Sequence, residues 1–303
     1  MSIRYKIAKS IGKMMGFKKM FALPKDELLA KAEKVNKGRD FHIPKDKKYR
    51  YGDEVILEHY HCLKIEIQEK KTKKALLFLF GSGMIIGPDQ GAIKTAISFG
   101  VRSGRDVWFP YYPLCTDYCV TETYDMLYET YRHMVAEYGA DNIAILGFSA
   151  GGALAIGLCL HNNVQPEPFP MPELIIASSP ASIPVTEEEK ADIQELNKVD
   201  IVVDSALFET NREIMKHGNE NIPEYMLSGT LGNFTNLPMI HFYYGSDEVL
   251  SAAAKPYAKA CEKYGVKYQM HFGKGMCHCY PMLTFYPEGK QANEEIATLL
   301  KVQ

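Results

Sequence analysis

Ser149, Asp247 and His278 are the residues of this chain whose types and order could carry nucleophilic chemistry. A serine hydroxyl attacks a carbonyl well only when a positioned base removes its proton. Ser149 lies in Gly147-Phe148-Ser149-Ala150-Gly151-Gly152, between the apolar run 143–146 and the small-residue run 150–160. Strand, sharp turn and helix form the context in which G-x-S-x-G acts as a nucleophile elbow. Side chains at Gly147 and Gly151 would crowd such a turn and hold the helix away from its strand. Two duller readings compete: a tightly packed turn without chemistry, and a membrane span, since residues 143–160 form an uncharged stretch of 18. Its four glycines and the turn residues Asp141 and Asn142 before it favour a buried strand followed by a buried helix.

An elbow serine needs an acid and then a histidine later in the chain. The apolar run 240–244 is followed by Gly245-Ser246-Asp247-Glu248, which places Asp247 as the acid. Lys274-Gly275-Met276-Cys277-His278 follows the expected strand 268–272 and supplies the base. The 31 residues from 247 to 278 leave room for a helix over 251–264 and that strand. Asp247 would hold the imidazole tautomer while His278 shuttles the proton. Gly-Ser-Asp is also ordinary turn chemistry. His278 between Cys277 and Cys279 could instead be a metal ligand, although no second Cys/His cluster has suitable spacing. Acyl transfer further requires backbone N–H donors for the developing oxyanion. Ala150 follows the nucleophile, and Phe80-Gly81-Ser82-Gly83-Met84 follows the apolar run 75–80, where the second donor set belongs. The spacing Gly81-x-Gly83-x-x-x-Gly87 is also that of a dinucleotide-binding turn. Against it, residues 107–110 run into Tyr111-Tyr112-Pro113 with no ribose-binding acid, and no Gly-Lys-Ser/Thr forms a phosphate loop.

These residues need a scaffold. Continuous apolar runs at 75–80, 107–110, 143–146, 174–177 and 240–244 read as strands buried on both faces. Helical stretches at about 89–103, 121–138, 150–162, 251–264 and 290–301 separate them. Such alternation predicts an α/β fold: a mostly parallel sheet with helices on both faces. Residues 54–59 and the alternating Leu63, Ile65 and Ile67 add strands with one wet face, hence an antiparallel N-terminal edge. Residues 1–50 form an N-terminal helical cap and 51–303 the main domain, with an irregular insertion at about 181–236. Met1 to Lys25 carries seven basic residues and no acid, with Ile3, Ile7, Ile11, Met14 and Met15 at helical spacing. That basic amphipathic helix either covers the domain or contacts a membrane surface. A further short helix is expected from Asp26 to Lys37.

At 303 residues, 46% hydrophobic and 24% charged, the composition is that of a globular α/β chain. A net charge of −2 gives no reason to expect nucleic acid. Seven cysteines without framework spacing point to reduced thiols and a cytoplasmic setting.

Taken together the motifs resemble the hormone-sensitive-lipase-like branch of α/β-hydrolases, with its carboxylesterases and acetyl esterases. That family places His-Gly-Gly-Gly, Tyr-Arg-Leu-Ala-Pro-Glu and Gly-Asp-Ser-Ala-Gly-Gly in order. Here Phe80-Gly81-Ser82-Gly83, Tyr112-Pro113-Leu114-Cys115-Thr116-Asp117 and Gly147-Phe148-Ser149-Ala150-Gly151-Gly152 stand at matching intervals, over roughly 75–303. The resemblance implies an α/β-hydrolase fold with an N-terminal helical cap, and oxyanion donors at the N–H groups of Ser82, Gly83 and Ala150. It also implies hydrolysis of short-chain carboxylic esters of small molecules without a cofactor or metal. A homodimer is compatible with the chain. Phe80, Ser82 and Phe148 depart from the family, removing a histidine that braces the oxyanion loop and an acid before the nucleophile. A prolyl-oligopeptidase-like peptidase and a non-catalytic ligand-binding protein stay open as alternatives. Met14, Met15, Phe17, Met20 and Phe21 either line the acyl pocket or pack within the cap.

Overall fold

The computed structural model describes Ser2, Tyr5 and residues 18–68 and 72–301. Eight strands form one sheet in the order β1-β2-β4-β3-β5-β6-β7-β8. They are β1 (Arg50–Ile56), β2 (Tyr60–Glu66), β3 (Ala75–Leu79), β4 (Asp106–Pro110), β5 (Ile143–Phe148), β6 (Leu174–Ser178), β7 (Met239–Gly245) and β8 (Tyr268–Gly273). Only β2 runs antiparallel to its neighbours, pairing Tyr60 with Ile56 on one side and Ile65 with Val107 on the other. From β4 to β8 all pairs are parallel. Every residue of β3, β4, β5 and β6 is buried, as continuous apolar runs require when helices cover both sheet faces.

After a single helical turn at Lys18–Phe21, the helices among the described residues are α1 (Lys25–Asn36), α2 (Gln90–Ser103), α3 (Val120–Tyr138), α4 (Ala150–Asn162), α5 (Glu187–Asn197), α6 (Leu207–Lys216), the short α7 (Glu224–Leu227), α8 (Ala254–Tyr264) and α9 (Pro287–Leu299). Their ends follow capping chemistry. Asp89 accepts from the N–H of Ala92 at the start of α2, and Gly104 ends it in the left-handed conformation at φ 74°. Thr186 and Glu189 form a reciprocal capping box on α5.

Three local expectations change. The insertion at 181–236, expected to be irregular, carries the helices α5, α6 and α7. The strand expected over 54–59 stops at Ile56, because Leu57 and Glu58 take left-handed dihedrals (φ 48° and 68°) and reverse the chain into β2. Hairpin turns of this kind usually announce themselves with Asn or Gly, and neither is present. The helix expected from 251 begins instead as a 3₁₀ turn, Val249–Ala253, before α8. The uncharged run 143–160 divides into β5 and α4, both buried, and among the described residues no helix is long and apolar enough to cross a membrane.

Most of the expected N-terminal amphipathic helix lies outside the described residues, including Met14, Met15 and Phe17. Tyr5 is buried, packs edge-on against Tyr286, and its hydroxyl accepts from the N–H of Cys277 at 2.8 Å. Ser2 Oγ donates to the Glu288 carboxylate at 3.1 Å. Tyr5 therefore lies against the loop that carries His278, and Ser2 against the start of α9.

Candidate active site

The parallel strands deliver their following loops to one end of the sheet, the end at which open α/β sheets place their ligand sites. The turn after β3 carries Gly81–Gly83, that after β5 carries Ser149, that after β7 carries Asp247 and Glu248, and that after β8 carries His278.

Ser149 sits at φ 56°, ψ −124°, between β5 and α4. A non-glycine residue with positive φ is uncommon, and here it turns the side chain out of the sheet. The flanking glycines explain how the turn closes. A Cβ on Gly147 would lie 2.0 Å from the carbonyl oxygen of Gly151, and one on Gly151 would lie 2.1 Å from that of Leu79. Both neighbours are backbone and cannot swing aside. Gly147→Ala is therefore expected to lower stability by more than about 3 kcal/mol, or to prevent folding. A chemical-denaturation midpoint close to that of the parent protein would count against this packing.

His278 Nε2 stands 2.9 Å from Ser149 Oγ. Its Nδ1 stands 2.7 Å from Oε2 of Glu248, not from Asp247. This corrects the acid expected from sequence. After β7 ends at Gly245, the chain turns so that Asp247 N–H donates to Met276 O (3.1 Å) and its Oδ1 accepts from Ser246 Oγ (2.9 Å). The next side chain, Glu248, is fully buried and points at the imidazole. Its other oxygen, Oε1, accepts from the backbone of Gly245 at 2.7 Å and from Ser179 Oγ at 2.8 Å. Ser179 Oγ in turn accepts from the N–H of Cys279 at 3.0 Å, so one hydroxyl ties the acid to the histidine loop. Ser179 itself was not legible in the sequence. Glu248 had one signal, that it is the second of two adjacent carboxyls in the turn where either acid type can serve.

Burial by itself disfavours charge on the His278 ring. The Cys279 sulfur, 3.5 Å from Nε2, and the Glu248 carboxylate outweigh it and hold the imidazole pKa well above the ordinary histidine value.

Ser82, Gly83 and Ala150 line the same cleft of about 540 Å³ as Ser149 and His278. Among the described residues, no protein acceptor takes the N–H groups of these three. Ser82, Gly83 and Met84 run consecutively through left-handed dihedrals (φ 75°, 67° and 61°), which curls the loop under the elbow. Gly81 lets it approach, since a Cβ there would meet Phe148 O at 2.7 Å and Ser149 Cβ at 2.9 Å. The bracing that a histidine would supply is replaced. Phe80 stacks on Tyr112 with centroids 4.2 Å apart and planes at 6°, and Tyr112 Oη donates to Phe80 O at 2.8 Å. Phe148 joins the same aromatic layer against Phe78 and Phe99. Phe80 and Phe148 thus belong to one aromatic cluster, joined through the stacked pair Phe78 and Phe109.

Phe21 of the N-terminal segment lines the cleft, whereas Met20 packs on the core. Among the described residues no three His, Cys, Asp or Glu side chains converge as metal ligands.

The family model for the alpha/beta hydrolase fold matches residues 76–282. The chain belongs to that family. Solved structures agree with the alpha/beta hydrolase fold over nearly the whole chain. An esterase/lipase from an uncultured bacterium superposes with a TM-score of 0.78 at 19% identity, covering 99% of this chain and 98% of that one. An esterase from the bacterial hormone-sensitive lipase family does so with 0.78 at 20% identity, covering 97% of each. A putative esterase from Staphylococcus aureus gives 0.74 at 19% identity, covering 91% and 90%. No curated protein sequence matches the chain.

Proposed function

We propose that this chain is a serine hydrolase that cleaves carboxylic esters with short acyl chains through an acyl-enzyme on Ser149. The observation that carries the reading is the continuous relay Ser149 Oγ, His278 Nε2, His278 Nδ1, Glu248 Oε2, at 2.9 Å and 2.7 Å, on a strained elbow. In this reading His278 accepts the Ser149 proton as Oγ attacks the ester carbonyl. Glu248 holds the ring with Nδ1 protonated and stabilises the imidazolium that forms. The N–H groups of Ser82, Gly83 and Ala150 receive the carbonyl oxygen as it gains negative charge. His278 then delivers its proton to the leaving alcohol, and water resolves the acyl-enzyme by the same steps.

A side chamber beside Ala150 and Ala153 favours short acyl groups. Ile183, Val203, Leu207 and Leu250 help line it, and its free space is about 50 Å³, against about 540 Å³ for the cleft. A fluorophosphonate probe tests the reading, because an activated serine displaces fluoride from phosphorus far faster than an ordinary one. Wild-type protein is expected to be labelled at Ser149 within minutes; an unlabelled Ser149 in folded protein would identify a non-catalytic scaffold.

The raised His278 pKa sets a pH dependence. The ring must be neutral to accept a proton, so kcat/KM is expected to rise with pH and to reach half its plateau above pH 6.5, the ordinary histidine value. The stabilising effect of the protonated ring runs the other way: it is present at low pH and is lost as pH rises through the folded-state pKa. A pH–rate profile with a chromogenic ester checks the first statement, and a midpoint below 6.5 contradicts it.

A further inference from the structure

The loop 274–279 after β8 carries His278, so the place of the imidazole depends on where that backbone is tied. Gly275 N–H donates to Ser246 Oγ at 2.7 Å, Met276 N–H to Gly273 O at 3.0 Å and Cys279 N–H to Ser179 Oγ at 3.0 Å. These acceptors stand at the ends of β6, β7 and β8, within the sheet that the loop leaves. Cys277 N–H, one residue before His278, differs. Its acceptor is Tyr5 Oη at 2.8 Å, 272 residues away in sequence. Both residues are buried, and the Tyr5 ring is seated edge-on against Tyr286 with centroids 5.1 Å apart. The peptide between Met276 and Cys277 is thereby held at both ends, because its carbonyl oxygen accepts from Asp247 N–H at 3.1 Å. It also lies close on Gly245, where a Cβ would meet Met276 O at 2.4 Å.

We propose that Tyr5 is a positioning residue for the catalytic base: its hydroxyl fixes the peptide that precedes His278, so seating of Tyr5 sets the geometry of the Ser149–His278 pair. The inference rests on the esterase reading for what that geometry does. A buried N–H that loses its acceptor keeps the cost of its lost hydration. Without the phenol, the loop relieves that cost by turning the N–H elsewhere, and His278 moves with it. Proton transfer from Ser149 tolerates little such movement, since the reacting atoms must already be in contact. One buried hydrogen bond corresponds to about a tenfold change in an equilibrium, and the productive placement of the ring falls by that factor.

Tyr5→Phe tests this, because it keeps the ring on Tyr286 and removes only the hydroxyl. With p-nitrophenyl butyrate, kcat is expected to fall about tenfold while KM stays within about twofold, since the base acts in the chemical step. Hydrogen exchange followed by mass spectrometry should show the peptide over 274–280 exchanging about tenfold faster in the variant, with β3 and β5 unchanged. A kcat within about twofold of the parent, or a loss confined to KM, overturns the proposal. In wild-type protein the Cys277 amide is expected to exchange slowly, and rapid exchange there overturns the proposal even if the variant does not fold. If wild-type protein hydrolyses no ester but loop exchange accelerates in Tyr5→Phe, the esterase reading fails and the anchoring stands. If hydrolysis is robust and the variant matches the parent in kcat and in loop exchange, the anchoring fails and the esterase reading stands.

Discussion

Ser149→Ala is expected to lower kcat/KM for a short-chain chromogenic ester by at least about 10⁴-fold, with the folded structure intact. The size follows from what the hydroxyl does. In the proposed mechanism Ser149 Oγ, 2.9 Å from His278 Nε2, attacks the carbonyl and forms the ester intermediate. Without it, the donors beneath the elbow and the cleft can still bind the ester, but the hydroxyl held on the base is gone. The variant removes one oxygen at a position whose φ of 56° already costs strain, so stability should change little. Circular dichroism with a thermal melt establishes the fold, and a rate within tenfold of the parent would remove Ser149 from the mechanism.

The second large effect separates two adjacent carboxylates. Glu248→Gln is expected to reduce kcat/KM by about 10³- to 10⁴-fold, and Asp247→Asn to leave it within about threefold. Glu248 is fully buried, with Oε2 at 2.7 Å from His278 Nδ1 and Oε1 held by Gly245 N–H and Ser179 Oγ. An amide there either presents N–H to the ring, which favours the wrong tautomer, or places N–H against donors that need an acceptor. It also cannot stabilise the imidazolium. Because the carboxylate helps to raise the His278 pKa, its loss should move the acid limb of the remaining activity to lower pH. Asp247 Oδ1 accepts from Ser246 Oγ and its backbone bonds to Met276, whereas the carboxylate bonded to the ring is that of Glu248. A large loss in Asp247→Asn with a small one in Glu248→Gln would reverse the assignment of the acid.

Much of the scaffold was legible because its signals are local. Residues 75–80 and 143–146 are apolar without a break, which only a strand covered on both faces can satisfy, and β3 and β5 occupy them. The elbow was legible for the same reason: Gly147 and Gly151 are demanded by contacts within five residues of Ser149 and by the strand beside them. The turn at Leu57 and Glu58 was not, since residues that disfavour left-handed dihedrals adopt them there under the pull of strand pairing on both sides.

By itself, the sequence determined the order of the strands and of the helices outside residues 181–236, the serine at the elbow and the histidine after the last strand. Each depends on which side chains neighbour one another along the chain. The tertiary structure alone decided which of Asp247 and Glu248 faces His278, a contact spanning 30 residues whose outcome turns on the path of a few peptides after β7. It alone brought Ser179 to Glu248 across 69 residues, Tyr112 to Phe80 across 32, and Asn211 to Gly83 across 128. Periodicity records which face of an element is buried. It carries no information about which distant polar atom meets that face, because one hydrogen bond at long range leaves no repeating trace in composition.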